Sequence, residues 1–460
     1  MSMRKNSATN NAYIFRTIEE LVPEKHLVRK IDKAINWDFI YDEVEDLYSD
    51  TGRKSVDPVV LFKMIFINYL FGYNSMRKTC REIEVNLAYR WFLGIDFEEK
   101  VPDYSTWSQN YIRRYRETDV FEKIFDRIIE EAYRYHFIKA ETIFGDSTHQ
   151  KACANKNKSI DREVEITRRV FEDELLKEIN DDRTTLGKKP FDRLVSEEID
   201  YDENGKEVLK TKTKNIKQSL TDPESGNFHK GKHEECFAYV HQTFCDKNGF
   251  VLHTSTVAGN NHDSTTFFQA YEETNEKYSG IKNVCLDSGY NTPAICKEIF
   301  ENNQTPLLPY HRPMTKKGYL KKKQFTYDKE NDIYICPVGV ILKHTTTNRN
   351  GYKEYRSKNC EGCPLKEQCT KSDGKLITRS VWEEYREEAD KIRHSELWKN
   401  TYQLRKQTIE RVFADAKENY GLRFTRLRGL KKNQHQALII FSMHNLKKLA
   451  LWIEKNEEIS

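Results

Sequence analysis

The sequence predicts a mixed α/β protein, α+β or α/β in class. Its mixed sheet is flanked by helices, preceded by an N-terminal helical domain and joined to a small cysteine-bearing insertion. Three observations carry that reading. Thr142-Ile143-Phe144-Gly145-Asp146-Ser147 and Asn283-Val284-Cys285-Leu286-Asp287-Ser288-Gly289 each read as a short buried strand ending in a carboxylate. Cys236–Cys245 and Phe250–Val257 alternate with period two around Asp246-Lys247-Asn248-Gly249, a hairpin signature. Short capped helices lie upstream, and four cysteines gather downstream.

At 460 residues and 37% hydrophobic, the chain can bury a sizeable core and is expected to form two or three domains. The net charge of +4 is too small to announce a polyanion partner, so local clusters must carry that argument. No apolar run approaches the ~20 residues of a membrane span. The longest, Val59 to Phe71, is broken by Lys63 and Asn68. The basic start Met1–Lys5 has no apolar stretch behind it, so secretion is not expected. Ten cysteines without a dense framework suit a reducing cytoplasm.

The helical domain, residues 1–137, holds Asp57-Pro58, an N-cap followed by proline at the first helical position. Ser75 caps a second helix bearing Arg77, Lys78 and Arg81, and a third signal covers Asn86–Leu93. Ser105-Thr106 opens another with Arg113, Arg114 and Arg116. Short, closely linked helices with basic faces suit double-stranded DNA. They equally suit an ordinary bundle with solvated charges.

From 138 to 310 the strand signals dominate, with a polar, charged insertion at about 157–231 that includes a helical run from Asp161 to Asn180. Asp263 caps a helix, Thr292–Asn302 reads as another, and Thr305–Leu308 as a strand. Residues 311–375 carry Lys316, Lys317, Lys321, Lys322, Lys323 and the late cysteines. Residues 376–460 complete the sheet domain with a helical run Thr401–Asn419 and a basic cluster, Arg423, Arg426, Arg428, Lys431 and Lys432. An apolar helix, Ala437 to Ile453, is expected to pack on the sheet.

Asp146, Asp287 and Glu410 share the chemistry of a two-cation site. Phosphoryl chemistry holds two cations about 3.5–4 Å apart on fixed oxygens. Mg²⁺ typically takes one or two carboxylates from protein beside water and phosphate. Each acid alone also has a structural reading: a strand-end Asp caps turns, and a helical Glu is usually solvated. Glu410, Phe413 and Lys417 share one helical face, which would offer a carboxylate to metal and an ammonium to phosphate.

Longer segments make the pattern specific. Ala88-Tyr89-Arg90-Trp91-Phe92-Leu93-Gly94, Pro102-Asp103-Tyr104-Ser105-Thr106, Asp146–Lys156, Thr221-Asp222-Pro223-Glu224-Ser225 and Asp287-Ser288-Gly289-Tyr290 together resemble bacterial insertion-sequence transposases of the DDE class. The resemblance spans about residues 50–450. It implies an RNase H-like catalytic domain with Asp146, Asp287 and Glu410 as the catalytic acids, holding two Mg²⁺ (or Mn²⁺) ions. It also implies DNA ends and target DNA as partners, strand cleavage followed by strand transfer, and a homodimer on paired ends. Lys151, Arg405, Lys406, Lys417, Arg426 and Arg428 are expected on DNA beside the N-terminal cations. Related transposases carry Tyr-x₂-Arg-x₃-Glu-x₆-Lys around the third acid. Glu410 and Lys417 fit, whereas Tyr402 and Arg405 stand one residue out of register and Lys406 takes the expected Arg position. The competing readings are a transposase-derived DNA-binding protein without catalysis and a nuclease without strand transfer. The intact acids argue against the first.

Cys336, Cys360, Cys363 and Cys369 could form a tetrahedral thiolate site suited to Zn²⁺. The C-x₂-C pair is typical, but the first gap and the C-x₅-C interval are looser than in a ribbon. Unmetallated thiols in a reducing cell are the alternative. His229 and His262 lack ligand partners and read as structural.

Overall fold

The short strand expected to end at Asp146 is strand β1 (Thr142–Lys151), which runs five residues past that acid. The computed structural model describes residues 15–458 apart from 50, 53, 166–170, 195–196, 202–206, 212, 231–233, 262, 312–317 and 359. Lys316, Lys317 and His262 therefore lie outside the described residues. The chain divides into two compact units. One combines the chain up to Ile138 with Val412–Thr425 and Lys431 onward; the other combines Lys139–Arg411 with Arg426–Leu430.

In the second unit, β1 belongs to a sheet with β2 (Gly226–Lys230), β3 (Glu234–Asp246), β4 (Val251–Ala258), β5 (Asn283–Cys285) and β6 (Thr305–Leu307). β3 and β1 pair antiparallel, as do β3 and β4. β5 runs parallel to β1 on its other side, and β6 parallel to β5. The order β4-β3-β1-β5-β6 is the expected RNase H-like arrangement, with helices Asp263–Lys277 and Pro293–Glu301 supplying the connections that parallel strands require. β2 pairs with the first half of β3, and β4 with the second.

β3 is the best-buried strand, and its polar side chains are bonded internally. His241 Nδ1 meets the Thr256 hydroxyl at 2.9 Å and its Nε2 meets Gln150 Oε1 at 3.2 Å, all out of water. Such pairing offsets the cost of burying polar groups in the sheet.

The insertion departs from expectation. Ser159–Glu165, read as the start of a charged helix, is a strand paired antiparallel with Thr213–Ser219, and the helix begins only at Glu172. Pairing with a distant segment overrides the local helical preference. Helix Glu172–Thr185 buries Leu175 and Ile179 in a cluster with Leu194 and Trp382.

The cysteine-bearing insertion is an antiparallel meander of β7 (Thr326–Asp328), β8 (Ile333–Ile335), β9 (Ile341–Thr347), β10 (Tyr352–Arg356) and β11 (Leu376–Ser380). Its core is small: Phe325, Tyr334, Leu342, Tyr355 and Ile377. Asp332 accepts hydrogen bonds from Tyr355 (2.6 Å), Tyr327 (2.8 Å) and His344 Nδ1 (3.0 Å). Asp182 of the preceding helix pairs with Lys353 at 2.9 Å and accepts from Thr347, tying that helix to the meander.

In the first unit, helix Pro58–Leu70 starts where Asp57 Oδ1 accepts the Val59 N–H at 2.7 Å, and it is buried on nearly every face. The closing helix, Leu430–Glu457, corrects an expectation. Its residues from Lys431 onward belong to the helical unit rather than to the unit that holds the sheet. The His435 ring stacks on Phe121 at 4.2 Å and meets the Tyr111 hydroxyl at 2.9 Å, while Trp452 packs edge-on to Phe137. Apolar content alone does not choose between two available cores. No helix among the described residues is long and apolar enough to cross a membrane.

Candidate active site

β1 and β5 set the positions of two acids. Phe144 lies opposite Cys285 in their parallel register. Asp146 lies two residues further along β1, and Asp287 two residues beyond the end of β5. The backbone at Asp287 remains extended, with φ −81° and ψ 171°. Gly145 allows the close approach of its neighbours: a Cβ there would come within 2.5 Å of the Phe244 ring and 2.6 Å of a Leu286 methyl. The loop after Asp287 is anchored by buried Tyr290, whose hydroxyl donates to Gln242 Oε1 at 2.7 Å.

Arg405 completes this corner. Its guanidinium donates to Asp146 Oδ2 at 2.7 Å and to the Gly145 carbonyl at 3.2 Å. Only 3% of the residue is exposed. Burial works against its charge, but Asp146, Cys285, Tyr402 and Asp287 outweigh that and raise its proton affinity. The Tyr402 hydroxyl is pushed up to about 12, first by burial and further by Asp287 and Asp146, while Arg405 opposes. Tyr402 in turn stacks flat on Trp398, with ring centres 4.7 Å apart. Arg405 was expected on a DNA phosphate; instead it is a buried partner of Asp146.

Glu410 does not sit inside a continuous helix Thr401–Asn419. Helix Glu396–Tyr402 gives way to a 3₁₀ turn, Gln403–Lys406, and a new helix, Ile409–Glu418, carries Glu410 in its first turn. The break lies in the stretch where Tyr402 and Arg405 fall one residue out of register with Glu410. Glu410 and Asp287 are exposed, and neither carboxylate has a hydrogen bond or ion pair among the described residues.

The other predicted cations fall into two groups. Arg77, Lys78, Arg81, Arg113, Lys406, Arg426 and Arg428 are exposed. Of these, Arg77 donates to the Tyr104 hydroxyl at 2.8 Å, Lys78 lies over the Tyr73 ring, and Arg428 Nε reaches the Cys153 carbonyl at 3.3 Å. Lys151 pairs with Glu234 at 2.9 Å. Arg114 is committed inward: it donates to the Leu47 carbonyl at 3.1 Å and to Asn110, and lies over the Tyr48 ring. Lys417 is half-buried.

Asp222, in the Thr221–Ser225 segment, is a structural anchor. It is 1% exposed and accepts from the Tyr239 hydroxyl at 2.9 Å and the Gly429 N–H at 3.0 Å. Glu224 accepts the Leu430 N–H. Burial raises the Asp222 carboxyl's proton affinity, with Tyr239 and the Gly429 N–H opposing. Gly429 has φ +92°, a conformation that glycine adopts without strain. The loop thus fixes the backbone beside Arg426 and Arg428. An acidic loop and a glycine were visible in sequence, but nothing local names their distant partner.

Cys336, Cys360, Cys363 and Cys369 all line one cavity of the meander. Among the described residues, no three His, Cys, Asp or Glu side chains already stand as ligands around one point.

Two family models match the chain: a Transposase domain (DUF772) over residues 16–113 and a Transposase DDE domain over residues 335–450. No curated protein matches it. The first match covers most of the N-terminal helical region, and the second includes Glu410. Asp146 and Asp287 precede the second match; they follow the paired segments of β1 and β5. Transposase domains of the DDE kind generally use divalent metal ions and imply a DNA partner. The two family matches and the mixed, RNase H-like sheet identify the chain as a member of the insertion-sequence DDE transposases.

Proposed function

We propose that the protein binds the terminal inverted repeats of its element, cleaves a strand at each end and joins the freed 3′-hydroxyl to target DNA. Asp146, Asp287 and Glu410 are the acids of that reaction. The observation that supports this is that β1, which holds Asp146, pairs in parallel with β5, two residues beyond which Asp287 stands.

The residues fit divalent cations on their own chemistry. Asp287 and Glu410 offer open, hard carboxylate oxygens, and Asp146 already draws the positive charge of Arg405. When bound, two Mg²⁺ or Mn²⁺ ions would supply activation of the attacking oxygen and stabilisation of the leaving one. The chain's own part is positional. Arg405 holds the Asp146 carboxylate in place, and Tyr290 fixes the loop behind Asp287. Lys406, Arg426 and Arg428 are exposed cations suited to phosphate. Phosphate contacts supply affinity, whereas discrimination of end sequence requires base contacts. We assign the latter to the N-terminal helices, and a homodimer would hold paired ends.

The test is incubation of the purified protein with element-end DNA and Mg²⁺. Metal-dependent nicks at the ends and joined target strands support the proposal. End binding without cleavage would make the protein a DNA-binding derivative, and cleavage without joining would make it a nuclease.

A further inference from the structure

The meander's four thiols belong to three separate backbone features. Cys336 opens the tight turn between β8 and β9, where Gly339 has φ +85° and its N–H reaches the Cys336 carbonyl at 2.8 Å. Cys360 and Cys363 flank Glu361-Gly362, and Gly362 has φ +68°. Cys369 ends the short helix Lys366–Cys369. The β8–β9 turn and the Cys360–Cys363 turn thus each place a left-handed glycine beside a cysteine, bending the backbone around the thiol. All four cysteines are free and half-buried, and all line one cavity.

Two further observations bear on what that cavity takes. Cys336 Sγ accepts the Val340 N–H at 3.2 Å, and Cys360 Sγ lies 2.9 Å from the Ser357 hydroxyl. Donors of this kind stabilise sulfur carrying negative charge. Lys366 and Lys375 line the same cavity, the latter donating to the Cys369 carbonyl at 2.9 Å. Four thiolates around a divalent ion leave a net negative charge, which two ammonium groups complement.

We propose that Cys336, Cys360, Cys363 and Cys369 bind one structural Zn²⁺ ion that fastens the turns of the meander together. Four sulfur donors select zinc over the hard cations suited to Asp146, Asp287 and Glu410. The thiols are not yet arranged as ligands among the described residues, so the ion would have to draw them together from around the cavity. Binding releases the thiol protons to solvent, leaving four sulfur–metal bonds and no redox change. The ion's role is structural because Cys336 and Cys369 pack against the small core of five side chains.

The inference is independent of the DNA chemistry, and its test reads metal directly. Full-length protein purified under reducing conditions without chelator is expected to hold about one zinc per chain. Cys363→Ser and Cys369→Ser should lose that zinc, while Cys153→Ser, outside the cavity, should keep it. Cobalt substituted into the unmutated protein should give the intense visible bands of a tetrahedral thiolate site, a readout that does not depend on any variant folding. Reduced protein that neither contains nor takes up zinc would overturn the proposal. So would iron in its place, a disulfide among these cysteines, or zinc retained by both serine variants.

Discussion

The Arg405 guanidinium donates to Asp146 Oδ2 at 2.7 Å, with 4% of the arginine side chain and 23% of the aspartate side chain exposed. One acid of the candidate site therefore serves two purposes, as a proposed cation ligand and as the counter-charge of a buried arginine. Asp287 adds to the negative field on Arg405, but neither Asp287 nor Glu410 forms an ion pair among the described residues.

That asymmetry has a stability consequence. Asp146→Ala leaves Arg405 buried without its partner and is expected to cost about 2 kcal/mol or more, discounted from a fully buried pair because Asp146 is partly exposed. Asp287→Ala and Glu410→Ala should stay within about 0.5 kcal/mol of the parent. Urea unfolding of the three variants checks this; equal midpoints would mean that Arg405 does not depend on Asp146.

Gly145→Ala should destabilise the sheet by about 1–3 kcal/mol, because its Cβ would overlap the Phe244 ring and a Leu286 methyl. Phe244→Leu in the same chain should recover part of the loss. If the double variant shows no recovery, the crowding lies elsewhere.

Much of this corner could be read from sequence. Short apolar runs located β1 and β5, although β1 continues five residues past Asp146 and β5 stops two residues before Asp287, and the hairpin turn located β3 and β4, because these signals are local. The role of Arg405 was not legible: its neighbours in sequence, Lys406 and Gln407, are exposed, and only the fold separates a buried cation from a surface one. The same holds for Asp222, whose partners Tyr239 and Gly429 lie far along the chain. The strand Ser159–Glu165 was missed because its partner, Thr213–Ser219, follows a long polar insertion.

Stability of the helical unit should depend on pH through His435. Its pKa is lowered from 6.5 to about 4, by burial first and then by Lys431, with Glu117 opposing. The folded chain therefore favours the neutral ring. The associated stability is fully present above 6.5 and is lost as pH falls through the interval toward 4. The share is on the order of 3 kcal/mol. His435→Gln should flatten the fall in unfolding free energy over that interval, and an unchanged slope would assign the acid sensitivity to other groups.

Arg426→Ala with Arg428→Ala should weaken binding to end and scrambled DNA alike. Each lost phosphate contact should reduce the log–log salt slope by about 0.9. A loss confined to end DNA would instead make these residues readers of sequence.

The most direct test of the three-acid account uses Asp287→Ala, because the Asp287 carboxylate is exposed and has no hydrogen-bond or ion-pair partner among the described residues to lose. The measurement is Mg²⁺-dependent cleavage of element-end DNA by this variant, at a protein concentration where it binds the ends as the parent does. The account predicts bound ends, a parental unfolding midpoint and no cleaved or joined strands. Full metal-dependent cleavage by Asp287→Ala would contradict it.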